Sequence, residues 1–307
     1  MKYPFSKVLP HQLSTVNNIS IDTMATTTLQ WEVLATAKEA ARLAGKHMRA
    51  HLGSVSATAA SKSNKDDLVT VVDKQCQEII AAQIAAKHPT HRMLGEEDVD
   101  AGSDASKAAI RSMDGTQWLW VVDPIDGTTN FVHGRPASVV SIAVALDGVV
   151  VVGVIYDPYR DELFSALRGH GTHLNDVAVH VSKKELTFSQ ALVGFGIGTK
   201  PSVRLPMLDV IALFSSTCRG LRLQGAAALE LAWVSCGRQT GFYELDLNSW
   251  DVAAGALLVS EAGGQVSDSV GSLFTLHTRH IVVSNGQGTI HQDLLKCIAD
   301  ANATHPR

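Results

Sequence analysis

Trp120-Val121-Val122-Asp123-Pro124-Ile125-Asp126-Gly127-Thr128-Thr129-Asn130-Phe131 sets two carboxylates on one tight turn. Leu119 to Val122 is a short apolar run of strand type. Pro124 has no backbone N–H and pushes Asp123 out of the helical region, so the strand is expected to end there. Gly127 permits a sharp reversal, and Thr128 and Thr129 are good N-cap residues. The expected product is a strand, a carboxylate-bearing turn and a helix start whose N–H groups and dipole face the same point as Asp123 and Asp126. Such a point suits a divalent cation with hard oxygen ligands together with a phosphate group. On its own, Asp-Pro-x-Asp-Gly is ordinary turn chemistry.

The turn has company. Gly95-Glu96-Glu97-Asp98 lies upstream and Trp250-Asp251-Val252-Ala253-Ala254-Gly255 downstream, each a carboxylate beside a strand or helix boundary. The three segments together resemble the signatures of the inositol monophosphatase family of magnesium-dependent, lithium-sensitive phosphatases, and the resemblance runs over roughly residues 31–298. Haloacid dehalogenase-like phosphatases also use an Asp-x-Asp-Gly-Thr turn, with the first Asp as a covalent nucleophile. Here Pro124 stands at that position, and Asp123 lies three residues before Asp126 rather than two. A water activated by metal is therefore the expected nucleophile.

The resemblance implies a site, residue by residue. Asp123 would bridge two metals, Glu96 and the Ile125 carbonyl would complete the first metal site, and Asp126 and Asp251 the second, with two or three magnesium ions in all. Thr128, with Glu96 and beside Asp123, is assigned to orienting and deprotonating the attacking water, because a hydroxyl next to a metal-ligating carboxylate can relay a proton. The N–H groups of Gly127 and Thr128 would hold the phosphate. Asp126, Asp251, the helix start at Gly225-Ala226-Ala227 and Glu244 would face a polyhydroxylated leaving group. Lys62, Asp67 and Asp73 fall where the family has a basic residue on a loop and two acids flanking Leu-Val-Thr; Asp73 serves equally well as a helix N-cap. His133 reads as peripheral, and Asp98 as a solvated loop acid.

Composition narrows the partners. The chain has 307 residues, 45% hydrophobic and 18% charged, with a formal charge of −4, which leaves no basic surplus for nucleic acid. No apolar run approaches the ~18 residues of a membrane span. The expected partner is a small molecule, which the resemblance makes a sugar or polyol phosphate, handled by a homodimer expected to be cytoplasmic. Cys76, Cys218, Cys236 and Cys297 lack metal spacing and read as buried thiols in a reducing compartment.

Along the chain, residues 1–28 are Ser/Thr-rich and aperiodic and read as a disordered extension; residues 1–23 read either as an organelle-targeting segment or as lying upstream of a start at Met24. Trp31 to His51 has helical spacing, and so has Asp73 to Lys87. Residues 99–117 read as an exposed excursion. Val139 to Leu146, Val149 to Tyr156 and Glu162 to Ala166 read as antiparallel strands, with Asp147-Gly148 as a hairpin turn. Gly194-Phe-Gly196-Ile-Gly198 fits neither phosphate-loop nor dinucleotide spacing and reads as strand-to-loop punctuation. From Pro201 helices alternate with strands.

The fold class expected is α/β: an α+β lobe over 29–188 carrying most metal ligands, and an α/β lobe over 189–307 supplying Asp251 and substrate contacts. The resemblance implies a layered α/β/α/β/α sandwich of the sugar-phosphatase type. It also implies hydrolysis of inositol monophosphate, with galactose 1-phosphate, histidinol phosphate, fructose 1,6-bisphosphate and 3′-phosphoadenosine phosphate as substrates of relatives. A catalytically silent scaffold is the alternative of a different kind.

Overall fold

The computed structural model of the chain describes residues 13–53, 60–61, 68–69, 71–198 and 201–301. Strand β3 (Arg92–Gly95) runs parallel to β4 (Trp118–Asp126), and β5 (Val139–Leu146), β6 (Val149–Asp157), β7 (Glu162–Leu167), β8 (Thr172–Leu174) and β9 (Val177–Val179) follow antiparallel in sequence order. These form a seven-stranded sheet; β1 (Ala60–Ser61) and β2 (Leu68–Val69) pair separately. A second, five-stranded sheet has the order β11-β10-β12-β14-β13, built from β10 (Leu192–Phe195), β11 (Gly220–Arg222), β12 (Gly241–Glu244), β13 (Gln265–Asp268) and β14 (Ile281–Ser284).

Every residue of β4 is buried because both of its faces are covered. Trp118, Trp120 and Val122 pack against α1 (Leu13–Ala50) and α2 (Val71–Lys87), while Leu119 and Val121 pack against α6 (Ala227–Ser235) and α7 (Ser249–Glu261). A strand dressed on both sides reads as a continuous apolar run rather than an alternation. The small sheet repeats the pattern: Phe242 and Val283 face α6 and α7, while Tyr243 and Val282 face α5 (Pro201–Thr217) and α8 (Ile290–Asp300). The layers therefore run α/β/α/β/α, with α6 and α7 shared between the two sheets, as the sandwich expectation required.

Four local expectations change. Helix α1 begins at Leu13 rather than Trp31, so residues 13–28 extend a helix instead of forming a tail; no proline or glycine falls between Leu13 and Ala44 to stop it. β4 does not end at Asp123. It pairs with β5 up to Asp126↔Val139, with a register shift between Asp123 and Asp126 that accommodates Pro124 where no ladder donor is required. Residues 99–117 contain helix α3 (Ser103–Arg111), with Ser106 and Ile110 buried, so the segment is docked rather than an exposed excursion. Of the four free cysteines only Cys76 is buried; Cys218, Cys236 and Cys297 are half-buried.

Candidate active site

The turn after β4 is built around Gly127, whose φ of 88° is left-handed. A Cβ there would also press on the Ala137 and Gly225 carbonyl oxygens, both 3.1 Å away, so no other residue fits without strain. Gly127 is consequently the N-cap of α4 (Thr128–Val132), and Thr128 is its first helical residue, not the cap that sequence suggested. The Thr128 hydroxyl is left to make other contacts. Its Oγ1 lies 3.1 Å from the Ile125 carbonyl and 3.4 Å from Asp73 Oδ1. Asp73 sits in the first turn of α2 and is 2% exposed, so it turns inward toward Thr128. Asp123 Oδ1 accepts the Ile125 N–H at 3.0 Å, which closes the turn from within.

Neighbouring elements bring the other acids. The parallel register Gly95↔Val122 places Glu96, at the start of a short 3-10 turn, beside Asp123. Asp251 is the third residue of α7; its Oδ2 accepts the Asn248 N–H at 2.6 Å while Asn248 caps the helix in return. Ser141 of β5 donates to the Trp250 carbonyl at 3.0 Å and so ties this helix start to the large sheet. Asp126 accepts the Ala227 N–H on Oδ1 at 3.2 Å and the Ala228 N–H on Oδ2 at 2.7 Å, which places a carboxylate on the positive end of α6.

Four carboxyl groups, Asp123 and Asp126 buried and Glu96 and Asp251 half-buried, repel one another. Burial and the charges of Glu96, Asp126 and Asp251 hold the Asp123 carboxyl well above the usual carboxylate range. Burial and Asp251 likewise raise Asp126, against the pull of the α6 N–H groups. Asp251 is raised by burial, against the Asn248 N–H and the Arg279 charge. As they stand, no three acid, imidazole or thiol side chains among the described residues are gathered tightly enough to enclose an ion. The donor set nonetheless fits a hard divalent cation, being all oxygen, at least half-buried, and electrostatically costly until a positive charge relieves it.

Glu96, Asp126, Gly127, Thr128, Gly225, Ala227, Glu244 and Asp251 all line one cleft of about 530 Å³. Asp123 and Ile125 lie buried behind them. These ten residues thus lie at or against one cleft. Glu244 ends β12, and its carboxyl is pushed well above its ordinary value by burial and by the charges of Asp251, Asp126 and Glu230. A side chain at Gly196 would collide with it, which explains that glycine. His133 is exposed and bonds its own helix, at Thr129 O. Lys62 and Asp67 lie outside the described residues.

Sequence reasoning missed Glu230, Asn130 and Arg135, which also line the cleft. Glu230 left a legible signal: it is the lone charge in Ala226-Ala-Ala-Leu-Glu-Leu-Ala-Trp233, and a charge inside so apolar a helix needs dedicated partners.

Among known proteins, the profile of the inositol monophosphatase family matches residues 29–303. A relative from Solanum lycopersicum named inositol monophosphatase 2 is 41% identical over 222 residues, covering 71% of this chain and 81% of that protein. A relative from Pseudomonas aeruginosa named Nus factor SuhB is 38% identical over 256 residues, covering 82% of this chain and 91% of the relative. The solved structure of an IMPase from Thermotoga maritima superposes with a TM-score of 0.77 at 29% identity, covering 88% of this chain and 98% of that one. With the layered fold and the acid-lined cleft already described, these matches make the chain a member of the inositol monophosphatase family.

Proposed function

We propose that the chain is a magnesium-dependent phosphomonoesterase that hydrolyses inositol monophosphate to inositol and phosphate. The observation that carries this reading is the convergence of Glu96, Asp123, Asp126 and Asp251, from the turn after β3, from β4 and from α7, at a cleft also lined by Glu244. Glu96, Asp123, Asp126, Asp251 and the Ile125 carbonyl would hold the magnesium ions. Bound there, magnesium neutralises the phosphate and lowers the pKa of water.

The chain's own groups do the rest. Thr128 Oγ1 can pass its own proton to the Asp73 carboxylate as it takes one from the attacking water beside Glu96, while the Ile125 carbonyl holds the hydroxyl in place. The Gly127 and Thr128 N–H groups are assigned to the phosphate. Glu244, backed into the space that Gly196 leaves, faces the hydroxyls of the leaving group. Lobe 29–188 would supply the first metal site, lobe 189–307 Asp251 and the polyol wall, and the working form would be a homodimer.

A second reading is a catalytically silent scaffold, and the Pseudomonas relative carries the name of a factor rather than of an enzyme. A retained set of five matched oxygen ligands argues against it. Phosphate release from inositol monophosphate, galactose 1-phosphate, histidinol phosphate, fructose 1,6-bisphosphate and 3′-phosphoadenosine phosphate, with magnesium and with chelator, tests both. Inositol monophosphate should lead and chelator should abolish release; no release from any ester would favour the scaffold.

A further inference from the structure

Glu230 is 1% exposed, yet it lines the substrate cleft. Its Oε1 accepts the Gln224 N–H at 2.8 Å and its Oε2 accepts Gln239 Nε2 at 2.6 Å. Gln239 is itself 2% exposed and leaves its own Oε1 without a partner. A buried glutamine that forgoes one hydrogen bond to supply another marks a carboxylate whose placement matters.

What that carboxylate holds is the turn entering α6. The Gln224 carbonyl accepts Asn130 Nδ2 at 2.8 Å, and the Gly225 carbonyl accepts the same nitrogen at 3.2 Å. The Gln224 side chain accepts Arg135 at 3.2 Å. The Gln224 peptide is therefore fixed at its N–H by Glu230 and at its C=O by Asn130, just before Gly225, Ala226 and Ala227 form the cleft wall. Two glycines clear the space behind this wall. A side chain at Gly194 would collide with the Glu230 carboxylate, as one at Gly196 would with Glu244. The Gly-x-Gly run that fits no phosphate loop thus hollows out room for two acids on neighbouring parts of one wall, close enough that the charge of Glu230 helps hold the Glu244 carboxyl up.

We propose that Glu230 is a positioning residue for substrate selection: it fixes the Gln224–Ala227 wall on the leaving-group side, and with it the gap in which Glu244 meets a polyol. This rests on the phosphatase reading. A purely structural Glu230 would lower stability and leave selectivity alone.

Steady-state kinetics with inositol monophosphate and with ethyl phosphate separate the two, using magnesium-loaded full-length chains whose melting temperatures are also recorded. Glu230→Leu leaves the Gln224 N–H unheld and should raise KM for inositol monophosphate roughly tenfold, while kcat/KM for ethyl phosphate moves less than about twofold. Gln239→Leu should shift selectivity in the same direction. Glu230→Gln should stay within about threefold of the wild type on both esters, because Gln239 can turn its amide over and present the orphaned Oε1 to the new donor. Equal losses on both esters, unchanged selectivity, or a Glu230→Gln variant as impaired as Glu230→Leu would overturn the assignment. If Glu230→Leu does not fold, Gln239→Leu and Glu230→Gln still decide it. Wild-type turnover of inositol monophosphate reports on the activity itself. The selectivity ratio, taken on whichever large and small esters the wild type cleaves, reports on Glu230.

Discussion

Asp126 Oδ2 accepts the Ala228 N–H at 2.7 Å across 102 residues of chain, so one carboxylate joins the end of β4 to the start of α6. Asp126→Ala should abolish phosphate release and lower stability by roughly 1–3 kcal/mol, the cost of leaving buried N–H groups unpaired. Urea unfolding and a phosphate assay on the same preparation check both. A variant as stable as the wild type would mean that the α6 N–H groups find water.

Magnesium should stabilise the wild type, because a cation that binds only the folded acid cluster adds about 2.7 kcal/mol at a hundredfold excess over its Kd. Asp123→Asn removes the central charge and should lose both the magnesium-dependent rise in melting temperature and all turnover, with little change in the fold by circular dichroism. Turnover in excess chelator, or a trapped phospho-aspartate, would contradict the water mechanism.

Gly196→Ala places a methyl where the Glu244 carboxyl sits. It should cost inositol monophosphate turnover more than ethyl phosphate turnover, and Glu244→Gln should weaken the same discrimination by ~1–3 kcal/mol. Equal effects on the two esters would make Glu244 structural.

Stability in chelator should rise as pH falls from 8, and rise less steeply below pH 6.5, where the histidines oppose the acids. Burial raises Glu230 to about 7 and raises Glu244 well above its usual value, so as pH falls from 8 the folded chain binds protons that the unfolded chain does not and gains stability. The histidines act oppositely. Burial lowers His91, stacked on Trp118, and His291, between Ser267 and Ser284, each to about 4 against an ordinary 6.5. Their contribution is complete above pH 6.5 and lost as pH falls toward 4. Melting temperatures from pH 8 to 4.5 check the shape; a steady fall from 8 downward would reject the raised acids.

Lithium should inhibit phosphate release at concentrations where sodium does not. It is close to magnesium in size but carries half the charge, so it fits a small oxygen cage without equal stabilisation of the leaving oxygen. Equal inhibition by sodium and lithium would mean that the acids form no size-selective site.

The acids were legible in the sequence because each lies at an element boundary with its own local signature: Glu96 after a strand, Asp123 and Asp126 around Pro124, Asp251 in a helix's first turn. The five layers came from the family resemblance; the apolar runs by themselves gave strands and helices but not their stacking. The details that escaped depend on partners far along the chain. Thr128 yields the cap to Gly127 because the Ala137 and Gly225 carbonyls crowd that point. Glu230 gains its role only when Gln224 and Gln239 close on it. The docking of α3 rests on contacts such as Ser103 with Asp246 and Ser106 with Arg279.

Helices α6 and α7 lie between the sheets and have almost no solvent face. During synthesis, strands β3 to β9 leave the ribosome with Val121, Ala143, Ile155 and Phe164 aimed at a layer that does not yet exist. That face stays bare until Leu257 and Leu258 emerge, and a nascent chain with a naked β surface sticks to its neighbours. Chains stalled or truncated before residue 258 should therefore aggregate or be held by chaperones, while the finished chain needs no such guard.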